Sequence, residues 1–333
     1  MQTSVAICTF NSARFLPFQL ASITSQSVLP DEVVVCDDGS TDETLAILER
    51  WAAEVSFPVR IQKNAQNLGY TQNFGQAVSL CRGDVVFLAD HDDVWLPYRI
   101  QRTLEAFEAD PALGLVTSDA QIIDAEGNDQ GMNLLEFVTR MHLHEFWRFF
   151  FPTDLKMTLW TGCTMALRRE FLAPSLPIPA GIACHDVWFY LTFALSSKLA
   201  FLPEPLIQYR LHGKNNSTAP TVAFLRENPS RWHYFNAFIE TLQSTHPTLI
   251  DALETFALSL PATPRTERFL RDLRRHKRHF LARMEASKHH PRFILRELLN
   301  GGYFTHPEPV RSVLYDLKSY FSGVKKTQDS LDH

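Results

Sequence analysis

The chain has 333 residues, 45% of them apolar, and a formal net charge of −5 at pH 7, which describes a soluble globular protein of one large domain or two smaller ones. The charge is uneven, with 15 Lys/Arg against 25 Asp/Glu in residues 1–219 and 17 against 12 in residues 220–333, so two parts with different tasks are expected to meet near 219. Five scattered cysteines exclude a disulfide framework or zinc pattern, the longest apolar segment (Val187 to Leu195) is too short to span a bilayer, and no secretory signal opens the chain, so a cytoplasmic protein is expected.

In chain order, short β-rich runs alternate with helix-like stretches. Strands are predicted at Ser4–Thr9, Glu32–Asp37, Val59–Lys63 and Asp84–Ala89, each followed by a helix: Ser12–Gln26, Thr41–Trp51, Thr71–Cys81 and Pro97–Phe107. That order predicts βαβ units and a mostly parallel, Rossmann-like sheet with flanking helices. Ser40 or Thr41 is suited to cap the second helix, and Pro97 to open the fourth. Next come two strands, Leu113–Ser118 and Ala120–Asp124, turned over at Glu126-Gly127-Asn128. An aromatic block follows at Phe146 to Phe151, then a strand at Thr164–Arg168, a helix from Asp186 and a strand near Leu206–Arg210. From Val222 onward the pattern is helical, with arginine dense between Arg265 and Arg296.

Two acidic clusters fall at the carboxyl ends of predicted strands, where open α/β sheets bind ligands. Asp37-Asp38-Gly39-Ser40-Thr41-Asp42 closes the second strand and Asp90-His91-Asp92-Asp93 the fourth. Carboxylates packed this closely repel one another unless a cation joins them. Hard oxygen donors favour Mg2+ or Mn2+, which keep coordination positions open for phosphate oxygens.

These clusters belong to a longer series. Ser4 to Asn11, the Asp37–Asp42 segment, Asn67-Leu68-Gly69 with Asn73-Phe74, Asp90 to Pro97, His185-Asp186-Val187-Trp188 and Tyr209 to Asn215 together resemble the successive motifs of family 2 glycosyltransferases, most nearly the bacterial rhamnosyltransferase-like members. The resemblance covers roughly the first 217 residues. His91 departs from it, since relatives commonly carry Gln there.

The resemblance implies a GT-A fold that takes a sugar, with inversion, from a nucleoside-diphosphate donor to a hydroxyl of a saccharide or lipid-linked saccharide in cell-surface polysaccharide assembly. Asp38 would accept the imide N–H of uracil or thymine, favouring a UDP- or dTDP-sugar, and Asp37 would orient the turn or reach the ribose. Thr9 and Asn11 would line the nucleoside pocket. Asn67, Gly69 and Asn73 would reach the ribose or diphosphate, and Gly162 would pass close to the donor sugar. Asp90 and Asp92 form an Asp-x-Asp pair on one side of an extended segment, Asp92 ligating the metal directly, Asp90 assisting and His212 completing the shell. Asp186 would be the catalytic base. For Asp42 and Asp93, helix capping is the preferred reading.

Trp160, Trp188 and the 146–151 block offer aromatic faces for an acceptor groove, although most of them suit a core equally well. Residues 220–333 form the basic helical region. The stretch from Arg265 to Arg296 reads as a basic amphipathic helix, fitted either to an anionic inner-membrane surface or to packing against the catalytic domain or a second subunit. A nucleotidyltransferase or a dehydrogenase is excluded by the absence of a glycine-rich loop after the first strand, where Thr9-Phe10-Asn11-Ser12 stands instead. Nucleic-acid binding lacks a reading module. The remaining alternative is a non-catalytic nucleotide-sugar scaffold of the same fold.

Overall fold

The structure, a computed structural model, describes residues 1–140, 161–212, 215 and 247–286. The expectations for Phe146–Phe151 and Trp160 lie outside the described residues. Of the described residues, 1–140, 161–212, 215 and 247–256 form one compact unit and 257–286 belong to a second. Residues 247–256 therefore lie with the first unit, beyond the boundary expected at 219.

The first unit is built on a nine-stranded sheet in the order β3-β2-β1-β4-β8-β6-β9-β5, with β7 paired to β6. Strands β1 (Thr3–Thr9), β2 (Glu32–Asp37) and β4 (Val85–Asp90) carry nearly continuous apolar runs because they are covered on both faces. Val5 to Ile7, Val33 to Cys36 and Val85 to Ala89 are all fully buried. These strands and β3 (Val59–Lys63) pair in parallel, joined by helices α1 (Leu16–Thr24), α2 (Thr44–Glu54) and α3 (Tyr70–Leu80). The chain moves outward from β1 to β3 and returns to add β4 on the other side of β1. That reversal opens a crevice at the carboxyl ends of β1 and β4.

Beyond β4 the sheet becomes mixed. β5 (Val94–Trp95), α4 (Arg99–Ala109), β6 (Leu113–Ile123), β7 (Asp129–Asn133), α5 (Leu134–Arg140), β8 (Ala166–Arg168), α6 (His185–Ser196) and β9 (Lys198–Arg210) follow, with β8 antiparallel to both β4 and β6. The two strands expected at 113–118 and 120–124 are one. Its pairing with β9 shifts register around Asp119, and Asp119 Oδ1 accepts the N–H groups of Ala120 and Leu135 at 2.8 and 2.9 Å. A polar residue absorbed into a register shift reads in sequence as a strand break.

In the second unit, helix α7 (Pro264–Ala286) buries Thr266, Phe269 and Leu273, which recur at helical spacing. Arg265, Arg268, Arg271, Arg274, Arg275 and Arg278 are exposed. Its apolar stripe is thus covered, and the exposed face is the basic one. No described helix is long and apolar enough to cross a membrane.

Candidate functional site

At the carboxyl ends of β1 and β2, Asp37 is fully buried and all its acceptor capacity is turned inward. Oδ1 accepts the hydroxyls of Thr9 (2.8 Å) and Ser40 (2.5 Å), while Oδ2 accepts the N–H groups of Gly39 (3.2 Å) and Ser40 (2.9 Å). Asp37 and Thr9 therefore fasten the β2 turn to β1, the turn-orienting role of the two open to Asp37. Asn11, at φ 49°, adds a second fastening by accepting the Thr41 N–H at 2.8 Å and donating its own N–H to Ser40 Oγ at 2.9 Å. Neither Ser40 nor Thr41 caps α2, whose N-cap is Glu43; Asp42, one residue earlier, ties the turn by accepting the Thr44 N–H at 3.0 Å and the Ala13 N–H at 3.1 Å.

Asp38 organises the next loop. Its Oδ1 accepts Asn64 Nδ2 at 2.9 Å and the Leu68 N–H at 2.8 Å, and its Oδ2 accepts the Gly69 N–H at 2.9 Å. Asn67 donates to the Asp38 carbonyl at 3.1 Å. Gly69, at φ 78°, is the N-cap of α3, a left-handed conformation that glycine adopts without a Cβ penalty. Asn73 is interior rather than ribose-facing, at 2% exposure. It donates to the Cys36 carbonyl and accepts from Asn64, so both ends of its amide are occupied.

At the end of β4 the carboxylates crowd. Burial first, then the charges of Asp92, Asp93 and Asp186, push the Asp90 carboxyl well above the usual range. Asp92 goes the other way. Burial opposes its ionisation, but the His212 hydrogen bond and the charges of His91 and His212 outweigh it and hold the carboxyl below its ordinary value. The contact is His212 Nε2 to Asp92 Oδ2 at 2.8 Å, and the imidazole stacks on Phe15 at 4.6 Å. Asp93 does not cap a helix. It is buried, accepts the Arg210 N–H at 2.9 Å, and is raised to about 8 by burial and by Asp92.

Ligand atoms of Asp90, Asp93 and Cys163 lie within 4.8 Å of one another, but that side already has a cation. The Arg99 guanidinium is buried there, lies 3.9 Å above the Trp95 ring and interacts with Cys163, Asp93 and Asp90. Burial also raises the Cys163 thiol far above its ordinary value, which makes it a poor metal ligand. Asp92 Oδ2 and His212 Nε2 are the one carboxylate–imidazole pair in contact at this end of β4 among the described residues, and carboxylate oxygen with imidazole nitrogen is a donor chemistry that suits a divalent ion.

Asp186 stands in the first turn of α6, whose N-cap is Cys184, so it is not itself the cap. Burial raises it to about 6, against the lowering effect of the Val187 and Gly162 N–H groups. The electrostatic effect of Asp186 on Asp90 places the start of α6 and the end of β4 at one site. Asp38, on the opposite side of β1 from Asp90, acts with it in raising the Cys8 thiol. Trp188 is core: it is 2% exposed and donates to the Ser175 carbonyl at 2.8 Å.

With this geometry in hand, residues 4–172 match the Glycosyl transferase family 2 profile. The chain belongs to glycosyltransferase family 2. This family 2 chain is 32% identical over 228 residues to an uncharacterized glycosyltransferase of Nostoc sp., covering 65% of this chain and 66% of that protein, just under two thirds of its length. The fold is similar to that of Staphylococcus aureus TarS 1-349 in complex with UDP, at TM-score 0.57 and 15% identity over 100% of this chain and 91% of that one. It is also similar to a Pyrobaculum calidifontis mannosyltransferase in complex with GDP-Man and Mn2+, at TM-score 0.53 and 16% identity over 98% and 87% of the two chains. Both show a shared GT-A-type architecture.

Several residues of this site carry no motif signal. Asn64 joins Asp38 to Asn73 from a position that reads as loop. Arg99 reads as a solvated helix residue, and only the paired strands reveal that it reaches the Leu88 carbonyl at 3.0 Å. Phe15 reads as helix core. Arg210, inside the last motif, also spans the site, donating to the carbonyls of Asp92, Asp124 and Ala125.

Proposed function

We propose that the chain is an inverting, metal-dependent glycosyltransferase that moves a sugar from a UDP- or dTDP-sugar to a hydroxyl of a saccharide or lipid-linked saccharide. The observation that carries this reading is the electrostatic meeting of Asp186, from α6, with Asp90 and Asp92, from the end of β4. Asp186 has the placement and the raised affinity for protons of a general base: half-buried, near pKa 6, and held by two backbone N–H groups. It accepts the proton of the acceptor hydroxyl as that oxygen attacks the anomeric carbon.

Asp92, held ionised by His212, together with Asp90 and His212 itself, would hold a divalent ion, Mn2+ or Mg2+. When bound, that ion supplies Lewis-acid stabilisation of charge on the departing diphosphate. The loop from Asn67 to Gly69, fastened by Asp38, presents its outer face to the nucleoside and diphosphate. Asp38 Oδ2 takes one protein donor where a carboxylate oxygen has two acceptor directions, which leaves one toward a pyrimidine imide. A non-catalytic scaffold is the weaker reading, because a half-buried acid near pKa 6 costs stability that a binding role would not require. The exposed arginine face of α7 supports peripheral contact with anionic lipid as the route to a lipid-linked acceptor.

A thermal-shift screen of UDP-, dTDP- and GDP-sugars with Mn2+, Mg2+ or chelator tests the proposal. UDP or dTDP compounds should stabilise the protein only with the metal present. Stabilisation by GDP compounds alone, or equal shifts with chelator, would overturn the donor and metal assignments.

A further inference from the structure

His185 precedes the proposed base and has no role in the chemistry described so far. Its ring is 5% exposed and stacks on Phe74 of α3 at 4.1 Å with a 17° interplanar angle. Tyr70 and Phe189 meet it edge-on at 6.0 and 6.5 Å. Neither ring nitrogen has a hydrogen-bond partner, and burial lowers the imidazole to about 3, so it stays neutral. Two unsatisfied buried nitrogens cost stability that an apolar ring would not lose, and such groups call for an explanation.

The explanation lies at the Nε2 edge of the ring. A methyl group at position 162 would stand 2.7 Å from His185 Nε2 and 3.5 Å from Asp186 Cβ. The backbone of the Gly162–Thr164 turn is therefore pressed against the imidazole, at a distance only glycine permits. The N–H of the same glycine acts on the Asp186 carboxylate, lowering its proton affinity.

We infer that His185 is a positioning residue: its ring, stacked on Phe74 and abutting Gly162 through Nε2, stops the turn where the Gly162 N–H meets the Asp186 carboxylate. This rests on the reading of Asp186 as the base and adds what holds that base in place. It also reassigns Gly162, whose missing side chain makes room for the imidazole.

The test is a 13C-NMR titration of the full chain labelled at its aspartate carboxyls, with Asp186 assigned by its absence in Asp186→Asn. The other ionisable groups acting on it, Asp90 from β4, Tyr70 from α3 and the neighbouring Cys184, are the same in every variant. Gly162→Ala drives its methyl into the ring, and His185→Ala removes the stop. Either change should loosen the N–H contact and raise the Asp186 midpoint by about one unit. In Gly162→Ala/His185→Ala the methyl occupies the vacated space, and the midpoint should return toward wild type. Should Gly162→Ala fail to fold, the comparison of His185→Ala with the double variant still decides. Unchanged midpoints in the single variants, or a double variant no closer to wild type than His185→Ala, would overturn the positioning role. Calorimetry with UDP and Mn2+ separates the two ideas: no binding by the wild type removes the proposed function, whereas the titration reads the positioning role independently.

Discussion

Asp92 and His212, 120 positions apart, meet at 2.8 Å between Oδ2 and Nε2, on an imidazole stacked against Phe15. The pair joins the end of β4 to the segment after β9, so two motifs from opposite ends of the catalytic unit share one hydrogen bond. His212→Ala should weaken Mn2+-dependent UDP binding by roughly 10- to 100-fold, as loss of a ligand or its orienting partner does. Calorimetry with and without Mn2+ measures this, and equal affinity in the variant would remove His212 from the metal shell.

Asp186→Asn should bind UDP with Mn2+ as the wild type does and lose sugar transfer by about 10^2- to 10^4-fold, the usual worth of a positioned general base. A transfer assay beside the same calorimetry checks it. Turnover near the wild-type level would assign the base elsewhere.

The pH dependence of stability has a definite sign at this residue. The Asp186 carboxyl titrates near 6 in the folded chain and near 4 when unfolded, so the folded state binds the extra proton. Stability is therefore highest below pH 4, falls as pH rises from 4 to 6, and above 6 carries a cost of about 3 kcal/mol. Asp186→Asn should match the wild type in thermal unfolding at pH 4 and exceed it at pH 8. An equal difference at both pH values would contradict the raised pKa.

Metal should stabilise in the opposite direction, most at high pH. Burial and neighbouring charge raise Asp93 to about 8 and lift Asp90 well above the carboxylate range, so these groups hold protons at acid pH and repel one another once ionised. Mn2+ with UDP should raise Tm more at pH 8 than at pH 5, because the deprotonated site gains most from a cation. Differential scanning fluorimetry at the two pH values reads the difference, and a larger shift at pH 5 would be the contrary result.

Asp38→Ala should act on the loop as well as on the donor. It leaves the Leu68 N–H without its acceptor and the Gly69 N–H with Asn67 Oδ1 alone, a loss of about 1.5–3 kcal/mol. Chemical denaturation should show that loss, with UDP affinity falling alongside it. Weakened UDP binding at unchanged stability would mean that Asp38 serves the nucleotide alone.

The local sequence determined the four parallel strands and the helices between them: β1, β2 and β4 because buried strands need long apolar runs, and the half-exposed β3 because strands and helices alternate in chain order. The same runs made Asp37, Asp38, Asp90 and Asp92 visible as candidates, whereas Asp186 was legible only through its motif's resemblance to the family. Tertiary structure decided what each acid does. Asp37 and Asp38 both follow β2, yet one has every acceptor direction filled from within its own turn and the neighbouring strand, while the other holds a loop 30 residues away. Asp90 and Asp92 are two residues apart, yet their proton affinities move in opposite directions. Burial and the identity of the nearest charge set those differences, and both depend on pairings such as Asp92 with His212 or Gly162 with His185, which only the folded chain creates.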